Sequence, residues 1–224
     1  MKINYKLQQG SEEWHELKYT KIGGTRAKSI MVKKGIEESA IFDEIMSERN
    51  TFYLPEEDSF ISSAMQRGND LEPLALENVE AETGIKFNSA GWISRNANHG
   101  HSPDGISECE TIGLEVKCPS AKVHNSYVRN GVLPIEYACQ VVNLFAMSDK
   151  IKSVYFASFN PDYLLMPLFL LEIKRTDEIN ISKKDCAKVS ELATELNNKT
   201  DNLYKLIEAE ESRIKSIINN KTKF

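Results

Sequence analysis

Asp104, Glu115 and Lys117 are the residues whose types and spacing most plainly suggest chemistry. Asp104 sits in the run Ser102-Pro103-Asp104-Gly105, and Glu115-Val116-Lys117 follows soon after. The segment Gly113–Lys117 is short, partly apolar and bounded by glycine and Pro119, which predicts a strand. Side chains alternate along a strand, so Glu115 and Lys117 would share one face while Val116 enters a core. A turn carrying Asp104 can fold back beside that strand. Two carboxylates then offer the oxygen donors that a hard cation such as Mg²⁺ requires. An ammonium beside them can orient a water or offset charge developing on a phosphate. Such a trio can cut phosphodiester bonds. Taken alone, Ser-Pro-Asp-Gly is equally an ordinary type I turn, and an acid and a base two apart on a strand are equally a solvated face.

The elements that must position these residues read as follows. A short helix is expected over residues 11–19, with Ser11 as N-cap and Trp14 and Leu17 on one face. After Gly23-Gly24, Thr25 can cap a second helix to about Met31, and Ile36–Met46 forms a third. Met65–Thr83 reads as a longer helix ended by Gly84, with Leu71, Leu74, Leu76 and Val79 facing the core. Pro73 marks a kink in it, or a later start near Leu71. Strands are expected at 85–88, 91–94, 99–102 and 113–118, then helices at 120–129 and 135–147, then strands at 152–159 and 164–173. From Ser182 to about Asn219 the pattern is one long amphipathic helix or two, striped by Leu192, Leu196, Leu203, Ile207, Ile214 and Ile217. That stripe suits packing within the chain better than a seam between chains. The terminal KTKF is expected to fray.

Composition narrows the class. At 224 residues with 41% hydrophobic and 27% charged residues, the chain suits a single globular domain: a core over about 10–175 and a C-terminal helical extension over about 176–220. The fold class is α/β (α+β), a central mixed sheet flanked by helices. No apolar run approaches about 18 residues and the opening MKINYKLQQGSEEW lacks a signal-peptide core, so neither a membrane nor secretion is expected. Cys109, Cys118, Cys139 and Cys186 form no C-x-x-C pair, which argues against a zinc ribbon or iron–sulfur cluster and fits a reduced cytoplasmic protein. A net charge of −5 counts against a protein that merely coats DNA, and less against an enzyme that concentrates carboxylates at its site.

Further residues join in a definite order: Trp14-His15-x-Leu17-Lys18…Ile22, Gly68-x-x-x-Glu72, Ser102-Pro103-Asp104-Gly105, Leu114-Glu115-Val116-Lys117-Cys118-Pro119, then Gln140 and Asn160-Pro161-Asp162. In this order the chain resembles the phage lambda exonuclease family of alkaline exonucleases, also called YqaJ-type viral recombinases, from about residue 10 to about residue 162. The resemblance implies a restriction-endonuclease-like, PD-(D/E)XK fold. It also implies Mg²⁺-dependent 5′→3′ digestion of one strand of linear duplex DNA, leaving 3′ single-stranded tails for an annealing protein in recombination. Two Mg²⁺ per site are implied, with Mn²⁺ an acceptable substitute, and a ring-shaped homotrimer around the DNA. By position, Asp104, Glu115 and the Val116 carbonyl would hold metal, and Glu72 would support the second metal or a bound water. Lys117 would orient the attacking water and Gln140 would help place it. The same resemblance assigns Lys18, Thr25 and Ser102 to a pocket for the 5′-terminal phosphate. Lys18 stands where the family usually has Arg, so the bidentate fork is lost, and Arg26 is a candidate to make up the charge. Met65 aligns with a residue that wedges between the last base pairs.

Two alternatives remain open at this stage: an endonuclease of the same fold, and a non-catalytic DNA-end-binding protein. The full set Glu72, Asp104, Glu115, Lys117 and Gln140 argues against the second. His99 and His101 share a strand face and one could approach the metal or a phosphate, although two histidines on a strand are no ligand set. His124 is expected on a helix surface, and Trp14 in the core rather than as a base-stacking platform.

Overall fold

The computed structural model describes residues 1–31, 35, 39–53 and 62–221. Its centre is a five-stranded mixed sheet in the order β2-β5-β6-β7-β8, built from Phe87–Asn88 (β2), Gly105–Ser107 (β5), Ile112–Lys117 (β6), Ser153–Phe159 (β7) and Leu168–Lys174 (β8). All neighbours run antiparallel except β6 and β7, which pair in parallel from Ile112 opposite Ser153 to Lys117 opposite Ser158. A parallel pair needs a long crossover. Two helices supply it, α5 (Ala121–Asn130) and α6 (Ile135–Ala146). A small antiparallel sheet, Lys2–Asn4 (β1), Trp92–Ser94 (β3) and Gly100–His101 (β4), lies upstream of the Asp104 turn.

Strand β6 divides the molecule into two cores. Leu114 and Val116 face α4 (Ser63–Thr83), where they pack with Ala75, Val79, Phe87, Ala157 and Phe159. The opposite face of β6 looks at α6, whose residues 138, 139 and 141–146 are all buried. There the helix axis comes so near the sheet that a Cβ on Gly113 would lie 2.2 Å from Leu144 Cδ2, so this position has no room for a side chain. The alternation expected for Glu115 and Lys117 therefore holds, with both on the α6 side.

Helix α1 (Glu12–Lys18) starts at Ser11, whose hydroxyl accepts from the Trp14 amide, as expected. Helix α2 (Gly24–Ile30) is capped by Gly23 instead of Thr25, which lies inside the first turn. Helix α3 spans Ala40–Arg49; the expected start at Ile36 falls outside the described residues. Helix α4 runs through Pro73 without ending there and stops at Gly84. Its buried stripe is Ala75 and Val79, so Leu74 is exposed rather than core-facing, while Glu72, one turn before Ala75 and Leu76, shares the inward side.

The C-terminal segment is not helical from residue 182. A hairpin of Glu178–Asn180 (β9) and Cys186–Lys188 (β10) precedes one continuous helix, α7 (Val189–Lys221). Leu192, Leu196, Leu203 and Ile207 are buried in the core shared with α2, α3 and α6, as intramolecular packing requires. Ile214, Ile217 and Ile218 further along remain exposed. Arg95 grips Asp201 with two 2.7 Å bonds and Arg49 grips Glu211, tying α7 to the body. The four cysteines are free, and no helix among the described residues is long and apolar enough to cross a membrane.

Candidate active site

The ladder between β5 and β6 ends where Gly105 faces Leu114. The next β6 amide on, Val116 N–H, donates to Asp104 Oδ2 at 2.6 Å, so the side chain continues what the strand leaves off. This fixes Asp104 against β6, as the turn-and-strand reading anticipated. Glu115 is buried; its Oε1 accepts from Lys117 Nζ at 2.5 Å, and its Oε2 lies 3.7 Å from His101 Nε2. Lys117 also lies over the Tyr137 ring, 5.3 Å from its centroid. Asp104, Val116, Lys117 and Glu72 line one cleft of about 840 Å³, with Met65 and Arg67 on its α4 side.

Electrostatics separate these groups. Burial first, and then the charge of Glu115, push Asp104 up to about 8 against the pull of Lys117. Burial works on Glu115 too, but the Lys117 ammonium and the nearby His101 outweigh it and hold the carboxyl down at about 2. Burial would lower Lys117, yet Glu115 and Asp104 raise it further, so it stays an ammonium. Glu72 is raised, mainly by burial. Three carboxyl groups thus face one lysine, which keeps Glu115 ionised while Asp104 and Glu72 are pushed toward their protonated forms, a bias that a bound cation would reverse. Cys118 lines the cleft too, but burial pushes its thiol up to about 11, so no soft thiolate ligand is offered.

Among the described residues no three His, Cys, Asp or Glu side chains converge as a closed ligand set. What is present is Asp104 and Glu115 beside a backbone strand, with Glu72 across the cleft. Mg²⁺ is commonly held by one or two carboxylates with waters completing its shell, so this all-oxygen, half-open set fits a hard divalent cation. The Gln140 Oε1 atom, on α6, is buried without a hydrogen-bond partner among the described residues; Gln140 does not line the cleft and lies instead beside Gly24.

Two of the other candidates, Lys18 and Ser102, meet at Trp14. Lys18 Nζ lies 3.5 Å from the centroid of that indole, and burial together with the nearby Arg26 charge lowers it to about 8. The indole N–H donates to Ser102 Oγ at 2.9 Å, and that hydroxyl donates to Gly91 O at 2.6 Å. Trp14 is therefore a half-buried scaffold that joins Lys18 to Ser102. The Ser102 hydroxyl is already committed, and a phosphate would have to displace its bond to Gly91. Thr25 is exposed on the first turn of α2. Arg26 does not stand free to replace a missing arginine: it pairs with Glu44 at 2.6 Å and with Glu48, and donates to Lys21 O. Met65 is 58% exposed at the cleft rim, where a wedge would stand.

Sequence reading missed three features. Asn143 is the one polar side chain in the buried stretch of α6, and it contacts both His99 and His101. A polar residue inside so apolar a helix was itself the signal. Arg67 lines the cleft, and among the described residues its Nε has no partner and its one ion pair is a 3.4 Å contact to exposed Asp162. His124 is fully buried, bonded to Ser158 Oγ and Met166 O at 2.8 Å each, which corrects its expected surface position. It pins the β7–β8 connection to α5.

A family model described as the YqaJ-like viral recombinase domain matches residues 13–150. The alkaline exonuclease LHK-Exo from Laribacter hongkongensis is 27% identical, with a TM-score of 0.72 over 92% of this chain and 100% of that one. LHK-Exo in complex with dAMP gives 26% identity and a TM-score of 0.71 at the same coverage. A phage related exonuclease from Haemophilus somnus 129PT shares the fold at 11% identity, with a TM-score of 0.54 over 85% of this chain and 96% of that one. No curated protein sequence gives a significant match.

Proposed function

Because this chain belongs to the YqaJ-like viral recombinase family, whose model spans more than half of it, we propose that it is a Mg²⁺-dependent 5′→3′ exonuclease acting on linear duplex DNA. The observation that carries the reading is Asp104, bonded to the Val116 amide, sharing one cleft with the Lys117 ammonium, which in turn pairs with the buried Glu115. Asp104, Glu115 and the Val116 carbonyl would hold the cation. When bound, Mg²⁺ would supply Lewis-acid stabilisation of the phosphoryl oxygens and lower the pKa of a coordinated water.

The chain's own residues do the rest. Lys117 leaves Glu115 to orient the attacking water and to offset charge on the phosphate. Glu72 holds that water from the wall. Water attacks phosphorus, the P–O3′ bond breaks, and the shortened strand carries a new 5′-phosphate. The cluster of Lys18, Thr25 and Ser102 would hold that phosphate and set the register for release of one nucleotide. LHK-Exo binds a single nucleotide, dAMP, which supports mononucleotide release here. With Lys18 lowered to about 8, Ser102 engaged and Arg26 paired, we expect a weaker 5′-phosphate preference than a free arginine fork would give. The 3′ tails would pass to an annealing protein in the cytoplasm, from a ring-shaped homotrimer. The test uses 5′-phosphorylated, 5′-hydroxyl and closed-circular duplexes, with Mg²⁺ or EDTA. Metal-dependent loss of linear DNA alone supports the reading; degradation of closed circles makes the protein an endonuclease.

A further inference from the structure

Behind Glu115 lies a buried polar chain that the proposed reaction does not use. His99 and Asn143 are fully buried, and His101 is 1% exposed. Asn143 Nδ2 is 3.0 Å from the Gly100 carbonyl, which can only accept, so the amide nitrogen is identified by its partner. Its other end, Oδ1, must then accept, and does so from His99 Nε2 at 2.6 Å. The same amide nitrogen lies 2.9 Å from His101 Nδ1, which must therefore accept as well. A proton on that nitrogen would point at the amide hydrogens. The His101 proton thus sits on Nε2, a buried atom with no hydrogen-bond partner, 3.7 Å from Glu115 Oε2. The three side chains therefore donate in sequence, His99 to Asn143, Asn143 to His101 and His101 toward Glu115, with a side branch from Asn143 to the Gly100 carbonyl.

Burial pushes His99 down to about 4, so its unpaired Nδ1 carries no proton at neutral pH, in agreement with this direction. The ring of His101 is also held from the side. A Cβ at Gly24, the first residue of α2, would lie 2.8 Å from its Cε1 and 3.0 Å from its Nδ1. Ring, amide and helix start form one close-packed bracket.

We propose that His101 is a positioning residue: Asn143 fixes its tautomer and Gly24 its place, so that its Nε2–H holds the Glu115 carboxylate for cation binding. The proposal rests on the reading of Asp104 and Glu115 as cation-holding groups. Donors behind ligating carboxylates typically contribute about 10–100-fold in metal affinity.

The test measures Mn²⁺ affinity by electron paramagnetic resonance of the free ion, with no DNA present, for wild type, H101L, H101Q, G24A and D104N. The expected result is a ~10–100-fold loss of affinity in H101L. H101Q, whose amide N–H can reach in the same direction, should recover most of it. G24A keeps every hydrogen-bonding group and displaces the ring, so it should also weaken binding, and it serves if H101L does not fold. Wild-type affinity in H101L and G24A would overturn the proposal, as would an H101Q no better than H101L. Wild-type Mn²⁺ binding in D104N would instead remove the cation site itself, so failure of the relay and failure of the underlying reading give different patterns.

Discussion

Replacing Asn143 by leucine should destabilise the protein severely although the two side chains are close in size. Three buried groups lose their partner: His99 Nε2–H, the Gly100 carbonyl and His101 Nδ1. Each orphaned group costs ~1–3 kcal/mol, and the added apolar burial of leucine returns ~2 kcal/mol. Taking ~2 kcal/mol for each orphaned group, the net loss is about 4 kcal/mol, which in a chain of this length lowers Tm by roughly 8–16 °C. Thermal unfolding followed by circular dichroism, with a urea titration at 25 °C, measures both quantities. A companion variant, H99L/N143L, removes donor and acceptor together and should cost less than the two single losses added, because partners that share a bond are coupled. An N143L protein melting within 2 °C of wild type, or strict additivity in the double variant, would refute the buried chain as described.

Other outcomes follow from the same geometry. His99 has a folded-state pKa near 4 against an ordinary 6.5, so the unfolded chain binds the extra proton. The stability held by its neutral form is complete above pH 6.5, is lost as pH falls toward 4, and amounts to at most about 3 kcal/mol; urea midpoints at pH 7 and 4.5 should show this slope in wild type and not in H99Q. Arg67→Ala should weaken duplex binding several-fold and reduce the salt slope by about one phosphate contact, read by fluorescence anisotropy in a D104N background, with Tm unchanged. A Gly113→Ala methyl would meet Leu144 Cδ2 at 2.2 Å and should cost about 1–3 kcal/mol, partly recovered by Leu144→Val in the same denaturation assay.

Much of this was legible in the chain itself. Glu115 and Lys117 on one strand face follow from period two, and the Asp104 turn from Pro103 and Gly105. The helix α6 follows from the apolar-rich run after Pro134. What escaped is what neighbours decide. Gly105–Ser107 pairs as a strand because β2 and β6 flank it, not because Gly-Ile-Ser alternates. The hairpin before α7 is polar and lies where an amphipathic pattern could be extended backwards. Arg26 looked available until Glu44 and Glu48, one turn apart on α3, closed on it. His124 reads as a surface residue by spacing, yet Ser158 and the Met166 carbonyl satisfy both ring nitrogens and let it be buried. Polar residues sink only when distant partners meet them, and a single sequence does not display those meetings.

The central claim is that Asp104, Glu115 and Lys117 form a metal-dependent site that cuts DNA from its ends. The most direct measurement is digestion of a 5′-phosphorylated linear duplex with Mg²⁺ by wild type and by Asp104→Asn, which keeps an acceptor for the Val116 amide while removing the charge. The account predicts release of mononucleotides by wild type, none in EDTA, and a loss of at least about 10³-fold in the variant at unchanged Tm. Undiminished digestion by the folded variant, or digestion in EDTA, would contradict it.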